Sequence, residues 1–311
     1  MAEKLKQAGD LSRKTFGDAI TFFLPGMFSC DGVRGNYPAI SLTGTRCALN
    51  CDHCQGILLR SMIPATTPAR LAETCARLWD RGVFGVLISG GCDREGRLPW
   101  RDFIPAIRGI KRKTGLFISV HSGLVDDDTA HRLRDAGVDQ ALIDIIGLDE
   151  TYQRIYHVDF GIERIVSSME SLNRAALPVV PHIVCGLHYG EIRGEKEAIR
   201  ILSGFDAAQV VIVSLMRLSR DQRPRFALPA AEAVADIIAE ARLKLPDVRI
   251  SLGCARERGN TLMERLAIDA GVSRMAIPSE EAVAYAREKG MKTRFQRTCC
   301  SVSMDCSGDR W

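Results

Sequence analysis

Long apolar runs are missing from this 311-residue chain, and with them any segment of membrane-spanning length. Residues 1–18 are polar and mixed in charge, without the apolar core of a secretion signal. Aromatic residues are scarce, at 6%, which argues against a base-stacking platform for nucleic acid. An excess of one charge is missing too: the net charge of +4 is too weak to point to a polyanionic partner. No low-complexity tract interrupts the chain. These absences lead to the expectation of a cytoplasmic protein with neither nucleic acid nor membrane as partner. What is present is a 46% hydrophobic, 26% charged composition, enough for one large α/β domain or two smaller ones.

Cysteine is abundant. Eleven thiols in a reducing compartment point to metal or redox chemistry rather than disulfides. Three of them fall in Cys47-Ala-Leu-Asn-Cys51-Asp-His-Cys54, after a run, 37–44, that reads as a buried strand ending in a turn glycine. Thiolates at C-x3-C-x2-C spacing can cap three corners of a cubane [4Fe-4S] cluster and leave the fourth iron without a protein ligand. Zinc would want a fourth ligand close by. His53 lies between two of the cysteines and cannot easily turn back onto the same metal. A zinc knuckle or three unrelated thiols is the plainer alternative. Cys30, Cys75, Cys92, Cys185, Cys254, Cys299, Cys300 and Cys306 remain.

Residues 1–24 read as mostly helical, with apolar positions at Leu5, Phe16, Ala19, Ile20 and Phe23, and Leu24-Pro-Gly-Met-Phe28 breaks the helix. From there short β-branched runs at 83–89, 116–120, 138–146, 179–185, 209–214, 248–252 and 272–277 alternate with amphipathic stretches such as 68–81, 126–136, 162–175, 229–245 and 261–270. Gly82, Gly137 and Gly271 each stop a helix just before a strand. Eight strands alternating with helices predict an α/β fold, a parallel (βα)8 barrel. Periodicity alone does not separate it from a six-stranded partial barrel. The expected organisation is an N-terminal helical extension over 1–36, the barrel over 37–291, and a cysteine-rich C-terminal tail over 292–311 without strong periodicity.

In such a barrel chemistry collects at the C-terminal ends of the strands. Strand two ends in Ser89-Gly90-Gly91-Cys92, where two glycines let the backbone approach a ligand, or simply turn. Strand three ends at His121, a ligand contact or a satisfied core histidine. Strand four carries Asp144 inside an apolar run, costly without a partner. Strand five leads into Cys185-Gly186-Leu-His-Tyr-Gly190-Glu191, and strand six offers Val211 to Val213 as an apolar wall or ordinary core. Strand seven leads to Cys254 and Arg256, both expected at the barrel mouth. The adjacent Cys299 and Cys300 do not easily bond each other but can ligate one cluster. We therefore expect a second iron–sulfur cluster on Cys254, Cys299 and Cys300, with a fourth ligand from Cys306 or Cys30. Cys92 and Cys185 form a competing set, and a tail of spare thiols is the bland alternative. The loop with Arg217, Arg220, Arg223 and Arg225 is a solvated loop or a dock for an acidic partner.

The three-cysteine loop resembles that of the radical S-adenosylmethionine (SAM) superfamily, in which a His or aromatic residue commonly precedes the third cysteine, as His53 does. The resemblance implies a [4Fe-4S] cluster on Cys47, Cys51 and Cys54, with SAM chelating the open iron and being split to a 5′-deoxyadenosyl radical. It implies that Ser89, Gly90 and Gly91 meet the methionyl end of SAM. His121 would bond SAM or substrate, Asp144 the ribose, and the Gly186 to Glu191 segment would shape the adenosine pocket, as in biotin synthase-like proteins. Leu24-Pro-Gly-Met27, Ile40-Ser-Leu-Thr-Gly44, Cys51-Asp-His-Cys54, Gly253-Cys254 and Cys299-Cys300 are similar to one subunit of the two-component lipoyl synthases. That implies sulfur insertion at C6 or C8 of an octanoyl chain on a lipoyl carrier protein or domain. Its partners would be a second radical SAM synthase component and an electron donor such as ferredoxin or flavodoxin. The chain departs from one-component lipoyl synthases, lacking C-x4-C-x5-C and an Arg-Ser-Ser-Tyr tail, and its auxiliary cysteines depart from the biotin synthase positions. Biotin-type insertion into a small molecule, a second cluster that only transfers electrons, and a non-catalytic metal-binding module are the alternatives.

Overall fold

The β-branched runs become the staves of one curled parallel sheet. The computed structural model describes residues 1–30, 32–219, 222 and 225–306. Its strands are β1 (Ala19–Phe23), β2 (Ser29–Cys30), β3 (Val33–Arg34), β4 (Ala39–Ser41), β5 (Ile63–Pro64), β6 (Gly85–Ser89), β7 (Phe117–His121), β8 (Gln140–Asp144), β9 (Val179–Cys185), β10 (Val210–Ser214), β11 (Ile250–Leu252), β12 (Arg274–Ala276) and β13 (Lys292–Gln296). All but the β2–β3 hairpin lie in one sheet of order β13-β1-β12-β11-β10-β9-β8-β7-β6-β4-β5. Its ladders are parallel throughout. The eight strands expected from the sequence are neighbours in chain order from β4 to β12, omitting only the two-residue β5. Among the described residues no ladder joins β13 to β5, so the barrel is curled but open. The segment before β4 spans that seam: the Asn36 N–H donates to Arg297 O at 2.6 Å, and the Arg297 guanidinium to Arg34 O.

Ten helices sheathe the described sheet: α1 (Ala2–Phe16), α2 (Pro68–Asp80), α3 (Trp100–Lys113), α4 (Asp127–Asp135), the single turn α5 (Asp149–Thr151), α6 (Ile162–Arg174), α7 (Glu195–Leu202), α8 (Ala231–Lys244), α9 (Thr261–Asp269) and α10 (Glu280–Glu288). Local chemistry sets their ends. Thr67 and Asp126 cap α2 and α4 by accepting from the third residue on, and Pro68 fills the first turn of α2. After α9, Gly271 takes φ +88° and packs against Ala8 O, which holds α1 close to the barrel. Two apolar layers result. The larger lies between sheet and helices. The smaller fills the lumen with Phe23, Leu142, Val180, Val211, Val213 and Ala276, and Cys300 is part of it. Among the described residues no helix is long and apolar enough to cross a membrane.

Two expectations about the chain's ends are corrected. Residues 17–24 are not helical. Gly17 ends α1, and β1 follows, paired with β12 on one side and β13 on the other. Flanked on both edges, β1 buries residues of both faces, so it reads as an apolar run without a period of two. The cysteine-rich tail expected over 292–311 begins within the sheet rather than after it. β13 extends the sheet, and residues 299–303 then turn into the lumen. Gln140 donates to Ser301 O (2.6 Å) and accepts from the Ser303 N–H (3.1 Å) and hydroxyl (2.9 Å). Gln209 donates to Cys300 O (2.7 Å), and Arg274 to Val302 O (2.7 Å) and Ser303 O (2.9 Å). The tail lacks periodicity because its backbone bonds to inward side chains instead of a ladder.

Candidate active site

The three-cysteine loop leaves β4 through a turn in which Ser41 Oγ donates to Gly44 O (2.6 Å). The end of β6 seats it. The Gly91 N–H donates to Thr43 Oγ1 (2.7 Å), and the Ala48 N–H to Cys92 O (2.8 Å). A side chain at Gly91 would lie 2.1 Å from Arg46 O and 2.5 Å from Cys47 Cβ. Gly91 is therefore required by the cysteine loop itself. Gly90 lies against Thr43, and Ser89 is buried behind them. Inside the loop, Asn50 and Gln55 take positive φ, at 45° and 48°.

The loop is clamped from above by the segment after β10. Gln222 donates to Asp52 O (3.2 Å) and His53 O (2.9 Å), while its carbonyl accepts from the Leu218 and Ser219 N–H groups. Arg225 and His157 both bind the Asp52 carboxylate. Part of the arginine-rich loop thus serves the cysteine loop. Arg217 is exposed, and Arg220 and Arg223 lie outside the described residues. His53 is held 5.3 Å from the Tyr156 ring with Nδ1 buried and unpartnered, and burial lowers its pKa to about 4. Burial raises the Cys51 thiol well above its ordinary range, and Cys47, Cys54 and Cys92 add to the effect. Crowded thiols that oppose one another's ionisation are what a cationic cluster would stabilise as thiolates. The residues present fit that group.

Deeper in the lumen, at the strand ends, His121 Nε2 lies 3.4 Å from Asp144 Oδ1. Burial opposes the Asp144 charge, but His121, then His182 and His53, outweigh it and hold the carboxyl at about 2. His121 is raised in turn, Asp144 overcoming burial. Both side chains keep about a third of their surface open, 32% and 37%, so they face free space. His182 is lowered to about 4 by burial. Its Nδ1 pairs with Val180 O (3.0 Å), which leaves Nε2 to accept from Ser301 Oγ (2.9 Å).

The structure brings Cys254, Cys299 and Cys300 together. The Cys300 thiol is hydrogen-bonded to both of the others. That contact lowers Cys299 to about 7 and lowers Cys254, while Cys300 is raised. Cys306 and Cys30 share no hydrogen bond with this trio: Cys306 is exposed beside Gln296, and Cys30 lies in the β2–β3 hairpin. The competing pair is not assembled. Cys92 adjoins the first loop, and Cys185 packs in the outer core. All eleven cysteines are free thiols. Among the described residues, no three His, Cys, Asp or Glu side chains already form a group that could hold a metal ion. Zinc ligands must converge on one ion, whereas a cubane takes one thiolate on each of three irons.

Other expected residues stand elsewhere. Arg256 is not free at the mouth. It is buried, donating to Gly253 O (2.7 Å) and Ile277 O (2.9 Å) and paired with Glu264. Glu191 is exposed, at a bridge with His188. The buried acid near it is Glu195, which accepts the Gly186 N–H at 2.8 Å. Val211 and Val213 do line the lumen. Sequence reasoning missed His182, Gln140, Gln209 and Arg274. The signal was there, since each is a polar residue within or beside an apolar strand, as Asp144 is.

The model of the Radical SAM superfamily matches residues 41–201. The chain is 25% identical over 234 residues to a biotin synthase of Citrifermentans bemidjiense, covering 70% of this chain and 67% of that protein. Among solved structures, methylornithine synthase superposes with a TM-score of 0.60 at 17% identity, covering 94% of this chain and 88% of its own. The FeFe-hydrogenase maturase HydG from Carboxydothermus hydrogenoformans gives 0.60 at 14%, covering 93% and 71%. At those identities the structural likeness shows the fold alone.

Proposed function

The chain belongs to the radical SAM superfamily, and from that premise we propose that it is a sulfurtransferase acting on the octanoyl chain of a lipoyl carrier protein or domain. It is a radical SAM enzyme, of a family that uses a [4Fe-4S] cluster and SAM. In this reading Cys47, Cys51 and Cys54 hold that cluster. Bound there, cluster and SAM supply a carbon-centred radical that abstracts hydrogen. Thr43, Gly91 and Gln222 fix the loop. The Asp144 carboxylate, ionised and oriented by His121, would accept from the ribose hydroxyls. The backbone at Gly90 and Gly91 lies against the loop, where the methionyl end would sit.

The observation that carries the sulfur-transfer reading is the second thiol trio, in which a tail built into the barrel brings Cys299 and Cys300 to Cys254, just after β11. A second iron–sulfur cluster there would supply the sulfur. The protein's part is to hold the substrate carbon between the two sites and keep water out. The carrier, a second synthase component, a ferredoxin or flavodoxin donor and a cytoplasmic setting belong to the same proposal. The test is the Cys299→Ala/Cys300→Ala double variant, reconstituted anaerobically and given an octanoyl-lysyl peptide with the partner component. It is expected to yield 5′-deoxyadenosine and no thiolated product. Unchanged thiolation would remove these cysteines from the account.

The biotin synthase relative favours one second reading, sulfur insertion into a small molecule. Thiolation of dethiobiotin but not of the octanoyl-lysyl peptide would decide for it.

A further inference from the structure

At the opposite end of the barrel, where the strands begin, three arginines converge on one carboxylate. Arg249, just before β11, Arg274 in β12 and Arg294 in β13 line a small open recess of about 30 Å³ together with Thr21, Ser273 and Asp305. Arg249 and Arg274 each bind one oxygen of Asp305. Arg274 is 1% exposed, and its remaining bonds go to Gln209 and to the tail carbonyls Val302 O and Ser303 O. Arg294 makes no hydrogen bond or ion pair among the described residues. Ser273 is 8% exposed, and its hydroxyl has no partner.

This recess holds more positive charge than it balances. Three guanidinium groups face one carboxylate. Burial pulls Arg274 down to about 10, with Asp305 offsetting only part of that and Arg249 opposing it. A buried hydroxyl with nothing to bond is costly on its own account. Guanidinium forks match tetrahedral oxyanions in charge and geometry. The volume admits little more than a small ion.

We infer that the recess is a binding site for a small tetrahedral oxyanion of the phosphate class, held by Arg249, Arg294 and the Ser273 hydroxyl. A bound anion shares its arginines with Asp305. It thereby braces the tail whose carbonyls rest on Arg274, from the end of the barrel opposite the mouth.

The probe is inorganic phosphate, titrated calorimetrically into the full-length reconstituted protein, with chloride at matched ionic strength as reference. One saturable site per chain is expected. Arg294→Ala should weaken binding about tenfold, the loss of one charge-assisted contact, and Ser273→Ala should weaken it by a smaller factor. Arg294 is exposed, so the variant should keep β13 intact. Arg101→Ala, on the outer face of α3, should bind as the wild type does. Phosphate should also slow amide exchange over residues 299–305. Heat no different from the chloride reference overturns the site, as does an Arg294→Ala variant that binds phosphate as tightly as the wild type.

Discussion

Ser301 Oγ donates to His182 Nε2 at 2.9 Å, and through this bond the tail that carries Cys299 and Cys300 reaches the lumen histidines. The contact requires a neutral His182, which burial ensures by lowering its pKa from 6.5 to about 4. The folded value lies below the unfolded one. The neutral ring therefore contributes stability above about pH 6.5 that is lost as the pH falls towards about 4. Urea midpoints measured at pH 7 and pH 5 should drop more for the wild type than for His182→Gln. An equal drop would mean that His182 titrates normally.

Gln140 satisfies Ser301 O and the Ser303 N–H and hydroxyl at once. Gln140→Leu strands these groups inside the barrel. A loss of about 3 kcal/mol is expected from buried groups left unpaired, read by urea unfolding. The variant's tail should also become accessible to thiol-labelling at Cys300, which is 2% exposed in the wild type.

Gly91→Ala drives a methyl group into Arg46 O and the Cys47 backbone. Because the obstacle is backbone, the cysteine loop must move. The variant should fold, by circular dichroism, yet bind markedly less iron on reconstitution. Gly90→Ala meets Thr43 Oγ1 at 3.2 Å, a contact that yields more easily, and should retain most of its iron.

Asp144→Asn removes the charge that raises His121. The His121 pKa should fall in an NMR titration. If the carboxylate holds the ribose, SAM affinity should fall about tenfold by equilibrium dialysis. Unchanged SAM affinity would assign Asp144 to His121 alone.

The barrel was legible because short β-branched runs alternate with amphipathic helices, three of which stop at Gly82, Gly137 and Gly271 just before a strand. Cys47, Cys51 and Cys54 were legible because ligand spacing within one loop survives any fold. Cys254 and the Cys299-Cys300 pair were legible as a group by chemistry, not by position: nothing in residues 297–306 signals that they enter the lumen. Their partners Gln140, Gln209 and Arg274 lie across the barrel, and tertiary bonds of that range leave no local period. β1 was misread for a related reason. A strand paired on both edges and buried on both faces has the same apolar run as a buried helix. Glu195 was not legible at all, because its bond from the Gly186 N–H is visible only once the chain is folded.

The seam between the two ends of the sheet has a consequence for synthesis. Arg297 closes on Arg34 across 263 residues, so the closing stave and the lumen thread leave the ribosome long after β1 and the first cysteine loop. Translation proceeds from the N-terminus at about 5–20 residues per second. The nascent half-barrel must therefore wait, open-sided, before its interior is filled. Cys47, Cys51 and Cys54 can be loaded during that interval, whereas Cys299 and Cys300 come within reach of Cys254 only once translation has passed them. If both proposed sites take up iron, the first three cysteines are therefore available for it before the second trio is complete.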